Sequence, residues 1–310
     1  MRPLSAWFLY LGLVLLVGAA LAPWVYLGLN AGAGGTWLRP LAQQPFHRFV
    51  DRCLLGAALV GLWPLMRFLG LRTWRAVGWT SLRGQCPRLA GGFLFGLVSL
   101  GLVALGATLG GARSWNTDRA AMEVARHLLN AGLSAVVVAL IEETLFRGCL
   151  FGSLRTQHRV LAAMVISSLI YAWVHFFLPV RWTEPVGPLT GFLVLGKMMS
   201  GMVIWTALIP GFLNLTLAGL ILAVAFEATG TLYFSVGLHA GWIFWLKSYG
   251  FFTTEAAGAN IWLWGTGRLV DGWVATVVLT LALVLIKWSL PTTLTLSEAP
   301  KPSSTPLEHP

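Results

Sequence analysis

The chain has 310 residues, of which 57% are hydrophobic and only 10% are charged, and its formal net charge is +10. So much apolar surface excludes an ordinary soluble domain and predicts a protein that crosses a membrane several times. Because the arginines lie in short connections between apolar segments, the positive charge predicts contact with anionic membrane lipid and excludes nucleic acid as the partner.

Eight apolar segments are predicted as membrane spans, and together they predict an all-α, polytopic transmembrane helix bundle within a single domain, residues 1–290. In chain order these segments are 7–29, 53–70, 89–111, 128–154, 160–180, 212–228, 233–246 and 273–290. Residues 189–209 are also apolar, and we expect an interfacial or re-entrant segment there, with a further span as the alternative. The tail, residues 291–310, is rich in Pro, Ser and Thr and is expected to be disordered.

The fourth predicted span contains an unusual charged stretch, in which residues 142–148 are EETLFRG. Charges within a bilayer are costly and usually face a protein interior or a water-filled cavity, where they serve a function. Glu143 and Arg147 are four residues apart on one helical face, so we predict a structural ion pair. Glu142 lies about 100° away on the helix, without such a partner, and is predicted to act as a base. The alternative is an ion-pair staple between helices that has no chemistry.

Two histidines, His175 and His239, lie inside the fifth and seventh predicted spans. A lone histidine in a span commonly does no more than hydrogen-bond a neighbouring helix. Counted at about 1.5 Å per residue from one membrane face, however, both histidines fall within about one helical turn of the depth of Glu142. Three titratable groups at one level of a bilayer predict an active site or an ion site.

Three motifs carry a resemblance to a known family. The first is Glu-Glu-x-x-x-Arg at residues 142–147, the second is aromatic-x-x-x-His ending at His175, and the third is His-x-x-x-Asn/Asp, which is present only in part from His239 to Ile243. In this order they resemble the motifs of the CPBP family of intramembrane glutamic proteases, which includes the Ras-converting CAAX endopeptidase. The second motif begins with Tyr171 in place of the family's usual Phe. The predicted motif core is residues 128–247.

The resemblance implies an intramembrane endopeptidase of the cell membrane that acts on a peptide or membrane-protein substrate without a cofactor. By that resemblance, Glu142 and His175 activate a water for attack on a peptide carbonyl, and His239 stabilises the resulting oxyanion. Ile243 departs from the family, because it cannot donate a hydrogen bond where the family usually has Asn or Asp. The loss of one oxyanion donor typically lowers the rate by about two to three orders of magnitude. The indole N–H of Trp242, one position earlier, is therefore the candidate replacement donor.

Three other functions fit parts of the sequence. A catalytically inactive membrane scaffold or immunity protein of the same family would keep the charges that join helices and would tolerate Ile243. A metal enzyme would use Glu142, His175 and His239 as ligands, although the motif HExxH is absent and the three cysteines form no CxxC. A proton-coupled transporter would use buried Glu and His side chains, but the sequence shows no inverted repeat.

Overall fold

The computed structural model describes residues 3–32, 38–116, 118–203 and 209–290. The predicted disordered tail, residues 291–310, lies outside the described residues. The described part of the chain is a bundle of α-helices with one short ribbon of two antiparallel strands, which confirms the predicted all-α class.

The helices have the following bounds. In chain order they are α1 (Pro3–Gly32), α2 (Arg39–Ala42), α3 (Phe46–Phe68), α4 (Cys86–Leu109), α5 (Ala121–Glu143), a π-helical stretch (Thr144–Phe151), α6 (Gly152–Leu154), α7 (Val160–Val174), α8 (Thr190–Met199), α9 (Gly211–Thr229), α10 (Tyr233–Phe252), α11 (Ile261–Trp264) and α12 (Trp273–Ser289). The ribbon pairs β1 (Arg113–Trp115) with β2 (Thr253–Glu255), and 3-10 turns cover Trp74–Val77 and Ser200–Val203.

Five stretches of helix within the described ranges are long and apolar enough to cross a membrane. They are α1, α3, α4, the continuous segment Ala121–Leu154 and α9, while α7, α8 and α12 are apolar but shorter. The chain is therefore a multi-pass membrane protein, as the composition predicted. The predicted number of eight spans stays a prediction, because α7 and α12 fall short of the usual spanning length of about 20 residues.

The second predicted span begins earlier than expected, at Phe46 rather than at residue 53. Pro45 is extended immediately before it, and Phe46, Phe49 and Val50 form a buried face in the first two turns. Both phenylalanine rings pack edge-on against Tyr26 of α1, at centroid distances of 5.5 and 5.2 Å. The helix therefore starts where an apolar face finds a partner, although charged residues on its other side lower the local hydropathy.

The fifth predicted span ends earlier than expected, at Val174 rather than at residue 180. His175 is the first residue beyond α7, and the following chain turns away from the helix axis. The N–H of Leu178 donates to the carbonyl of Met198 at 2.8 Å, which joins this segment to the end of α8. Pro179 cannot continue a helical hydrogen-bond ladder, so α7 could not have reached the predicted end at residue 180.

The closest helix pair of the bundle is α4 with α10, and it is built on glycines. Gly92 and Gly96 of α4 and Gly237 and Gly241 of α10 repeat at four-residue spacing along the shared face. A Cβ atom at any of them would collide with a backbone carbonyl of the partner helix. Small residues at this spacing let two membrane helices approach backbone to backbone. This packing fixes α10, and with it the histidine between its two glycines.

The other helices surround that pair. The second face of α10 packs on α5, and α9 lies between α7 and α12. A further layer is formed by α1, α3 and α8. Because α10 packs on α5 and α7 contacts the π-helical stretch that follows α5, the elements that carry the three sequence motifs lie side by side.

Candidate active site

The charged stretch lies where α5 widens into the π-helical stretch. All eight residues of that stretch are buried, and π-helical turns frequently mark functional sites. The hydroxyl of Thr144 donates to the carbonyl of Leu140 at 2.7 Å and accepts from Nε1 of Trp79 at 2.9 Å. Gly148 faces the backbone of Val77, whose carbonyl would lie only 2.6 Å from an added Cβ. Local hydrogen bonds and one close backbone contact therefore hold the stretch in place.

Glu143 forms the centre of a fully buried polar cluster. Its Oε1 lies 3.1 Å from Nη1 of Arg147, the predicted ion pair, and 2.8 Å from Nδ1 of His239. Arg147 also stacks over the ring of Tyr171, with Cζ 4.4 Å from the ring centroid, and its Nη2 lies 3.4 Å from the carbonyl of Gly219. Glu143 therefore does more than the sequence predicted, because it also orients a histidine from another helix.

Glu142 points to a different place, between the two histidines. Its Oε2 lies 3.4 Å from Nε2 of His175 and 3.8 Å from Nε2 of His239. The three residues come from α5, from the end of α7 and from α10. The structure thus brings together the three side chains that the sequence placed at one depth.

The hydrogen bonds at the far side of each imidazole determine which ring nitrogen carries hydrogen. Nδ1 of His175 lies 2.7 Å from the backbone carbonyl of Tyr171, and a carbonyl can only accept, so this nitrogen is the donor. Nδ1 of His239 likewise donates to the Glu143 carboxylate. In their neutral forms both rings therefore present an Nε2 lone pair toward Glu142.

The proton count of the cluster follows from these contacts. A neutral His175 and an ionised Glu142 would face each other with lone pairs only, so their contact is attractive when the two groups share one proton. When this proton is counted, the charges of Glu142, Glu143, Arg147 and His175 add up to zero. A bilayer interior strongly favours such a neutral set over an uncompensated charge.

Tyr171 is a site residue that the sequence analysis did not single out for a role. Its hydroxyl oxygen lies 3.3 Å from Nε2 of His239, and its ring contacts the ring of His175 at a centroid distance of 4.3 Å. The sequence did contain a clue to this role, because Tyr171 stands where the family usually has Phe. The exchange adds one polar atom to a buried ring.

Trp242 does not face the site, which corrects the role that the sequence analysis gave it. Its Nε1–H donates to the Ser99 hydroxyl of α4 at 2.9 Å, and the side chain is 4% exposed. Consecutive residues on a helix point about 100° apart, so Trp242 turns toward α4 while its neighbour Ile243 packs in an apolar cluster with Phe146 and Tyr171. Neither residue offers a free donor to the site.

A cavity of about 620 Å³ leads to Glu142. Its walls come from α1, α3 and the segment around the end of α7, and they are mainly apolar, with Asp51 as a second acidic residue. The side chains of Glu142 and His175 are 25% and 28% exposed, whereas that of His239 is 5% exposed. Glu142 thus lines the cavity itself, whereas His239 is buried.

Within the described residues, no group of three or more His, Cys, Asp or Glu side chains has the arrangement of a metal site. The cysteines Cys53, Cys86 and Cys149 are free thiols. If a metal were bound, Glu142, His175 and His239 would be the side chains with converging donor atoms.

Comparisons with known proteins agree with the motifs. Residues 124–245 match the family model described as Type II CAAX prenyl endopeptidase Rce1-like, and all three motifs lie within this range. The curated proteins yielded no match, and neither did the solved structures. The match covers about two fifths of the chain, and it includes α5, the π-helical stretch and the part of α10 that carries His239. Residues 124–245 are thus similar to a family of CAAX proteases, which confirms the resemblance to the CPBP family that the motifs predicted.

Proposed function

We propose that the protein is an intramembrane endopeptidase of the cell membrane in which Glu142 is the base that activates water. The observation that carries the proposal is the convergence of two histidines on one carboxylate. Nε2 of His175 and Nε2 of His239 both lie within 3.8 Å of Oε2 of Glu142, at the end of a cavity. Glu143 and Arg147 support the site from behind as a buried ion pair.

In the proposed reaction a water beside Glu142 attacks the carbonyl carbon of the scissile peptide, and its proton passes to the Glu142 carboxylate. The electron pair of the carbonyl becomes an oxyanion, whose charge the protonated His175 balances. When the carbonyl re-forms, the carbon–nitrogen bond breaks and the proton on Glu142 moves to the leaving nitrogen. Water and the peptide account for every atom of the two products.

The walls of the cavity favour an apolar substrate. Phe8, Leu11, Trp173 and Phe177 line it, so a peptide with aliphatic or lipid-modified residues would bury apolar surface beside Glu142. The description of the matched family names CAAX prenyl endopeptidases. A prenylated carboxy-terminal peptide is therefore the first substrate to test, with an unmodified membrane peptide as the second.

Two internally quenched peptides test the proposal on the full-length protein in lipid nanodiscs. One ends in a prenylated Cys-aliphatic-aliphatic-X sequence and the other has the same sequence without the lipid. We expect the wild type to cleave at least one, and Glu142→Gln to lower that rate by at least about 10²-fold, because the amide cannot act as a base. Glu123→Gln is the matched control, since it makes the same exchange in an exposed pair with Arg119 earlier on α5. Cleavage by Glu142→Gln at the wild-type rate would contradict the proposal.

A catalytically inactive membrane scaffold is the second candidate, and one observation favours it. Ile243 places an apolar side chain where the family usually has Asn or Asp, and that side chain is buried in an apolar cluster. If the site is inactive, quantitative proteomics of membranes with wild type and with Glu142→Gln should find the same peptides. Bound-metal analysis of the purified protein separates both candidates from a metal enzyme.

A further inference from the structure

We infer that the hydroxyl of Tyr171 donates the hydrogen bond that stabilises the oxyanion, and that His239 holds this hydroxyl in place before the reaction. The inference rests on the proposed function and adds a catalytic residue to the same site. Nε2 of His239 lies 3.3 Å from the Tyr171 oxygen and 3.8 Å from Oε2 of Glu142. The Tyr171 hydroxyl and the proposed base, Glu142, are thus both close to the same ring nitrogen of His239.

The hydrogen-bond partners of His239 show why it cannot be the donor in its neutral form. Its Nδ1–H donates to the Glu143 carboxylate, which also pairs with Arg147. The neutral ring then has only a lone pair at Nε2, and a lone pair repels an oxyanion. The same lone pair accepts a hydrogen bond from Tyr171, whose hydroxyl hydrogen can rotate about its bond to the ring.

The other groups at this end of the site have their donors committed elsewhere. Nδ1–H of His175 donates to a backbone carbonyl at 2.7 Å. The indole of Trp242 donates to Ser99, and Ile243 has no polar side-chain atom. Among these side chains, the Tyr171 hydroxyl is the donor that lies next to Nε2 of His239, at 3.3 Å.

The step needs no proton transfer from Tyr171. As the oxyanion forms, the hydroxyl hydrogen rotates from Nε2 of His239 toward the new charge, and the O–H bond stays intact. At the same moment Glu142 has gained the proton of the attacking water.

The ring of Tyr171 is held independently of its hydroxyl. It packs edge-on against Phe146 at a centroid distance of 5.2 Å, beneath the guanidinium of Arg147 and beside the ring of His175. Tyr171→Phe keeps each of these ring contacts and removes one oxygen atom. Phe is also the usual residue of the family at this position, so the substitution suits the fold.

The test compares Tyr171→Phe with Tyr233→Phe. The control removes another buried hydroxyl, which donates to the carbonyl of Thr80 at 2.6 Å outside the site. With the better of the two quenched peptides, we expect Tyr171→Phe to lower kcat by about 10²–10³-fold, with KM within about twofold and Tm equal to that of the control. Wild-type kcat in Tyr171→Phe, or a loss of Tm without a loss of kcat in the folded fraction, would overturn the inference.

A tetrahedral phosphinate analogue of the same peptide gives a second measurement that needs no turnover. Its affinity should fall in Tyr171→Phe by the same factor as kcat, whereas the affinity of an uncleaved amide analogue should not change. Equal affinity of the phosphinate for both proteins would also overturn the inference. If Glu142→Gln is inactive and Tyr171→Phe is fully active, this inference fails while the proposed function stands; if Glu142→Gln is active, the proposed function itself fails.

Discussion

Two arginine–glutamate pairs in this molecule share the same chemistry but differ in their surroundings. In the pair of Glu143 with Arg147 the side chains are 0% and 2% exposed, and the carboxylate also holds a histidine. In the pair of Arg119 with Glu123 the distance is shorter, 2.9 Å, yet the side chains are 34% and 48% exposed. The comparison teaches that distance alone does not rank ion pairs, because burial and further partners decide what is lost when one member is removed.

Breaking the buried pair should have the largest effect. Glu143→Ala and Arg147→Ala each leave a charge buried without a partner, so we expect each to lower the free energy of unfolding by about 3–5 kcal/mol and to abolish cleavage. Arg119→Ala is the matched control and should lower it by only about 1 kcal/mol. Thermal unfolding in detergent micelles measures all three. Similar Tm losses for Arg147→Ala and Arg119→Ala would contradict the comparison.

A double substitution sharpens this result. Replacing both charges by apolar side chains, Glu143→Leu with Arg147→Met, removes the unpaired charge as well as the ion pair. Its stability should therefore exceed that of either single alanine variant, while the peptidase activity stays absent because His239 has lost its anchor. A double variant that is less stable than both single variants would show that the charges themselves hold the helices together.

The next largest effect is expected at the glycine contact between α4 and α10, which positions His239 beside Glu143. Gly237→Ala places a Cβ against the carbonyl of Leu89, and backbone cannot move aside as a flexible side chain can. We expect a loss of about 1–3 kcal/mol, together with reduced cleavage as α10 shifts. Gly250→Ala on the same helix has open space around its Cβ and serves as the control. Its stability should be unchanged or raised by up to about 1 kcal/mol.

The smallest effect is expected for Trp242→Phe, which removes the indole donor to Ser99. The change should lower stability by about 1 kcal/mol and leave kcat unchanged, because this hydrogen bond ties α10 to α4 on the face away from Glu142. Ser99→Ala should have a similar effect, and the two together should be less than additive. A selective loss of kcat in Trp242→Phe would restore its predicted role as an oxyanion donor.

The helical class, the multi-pass character and the likeness to CAAX proteases were predictable, the first two for a physical reason. Apolar segments of spanning length must form helices in a bilayer to satisfy their own backbone groups. The charges at residues 142–147 stand out against that background. The four-residue spacing of Glu143 and Arg147 also places them on one helical face without any knowledge of the neighbours, and the structure contains this ion pair.

Boundaries were less predictable, because they depend on contacts between distant segments. α3 starts at Phe46 since its first turns pack on Tyr26 of α1, which hydropathy along the chain does not reveal. α7 ends at Val174, where the chain turns to bond the end of α8. The first difference extends a predicted span into residues 46–52, and the second removes residues 175–180 from another.

The sequence by itself determined that Glu142, His175 and His239 lie at one depth, because helical rise converts residue number into distance along the membrane normal. It did not determine which side of each ring faces which partner, since rotation about a helix axis is set by the neighbours. The glycine contact between α4 and α10 turns His239 toward Glu143 and Trp242 toward Ser99. Only the tertiary structure could therefore exclude Trp242 from the site and bring the Tyr171 hydroxyl within 3.3 Å of His239.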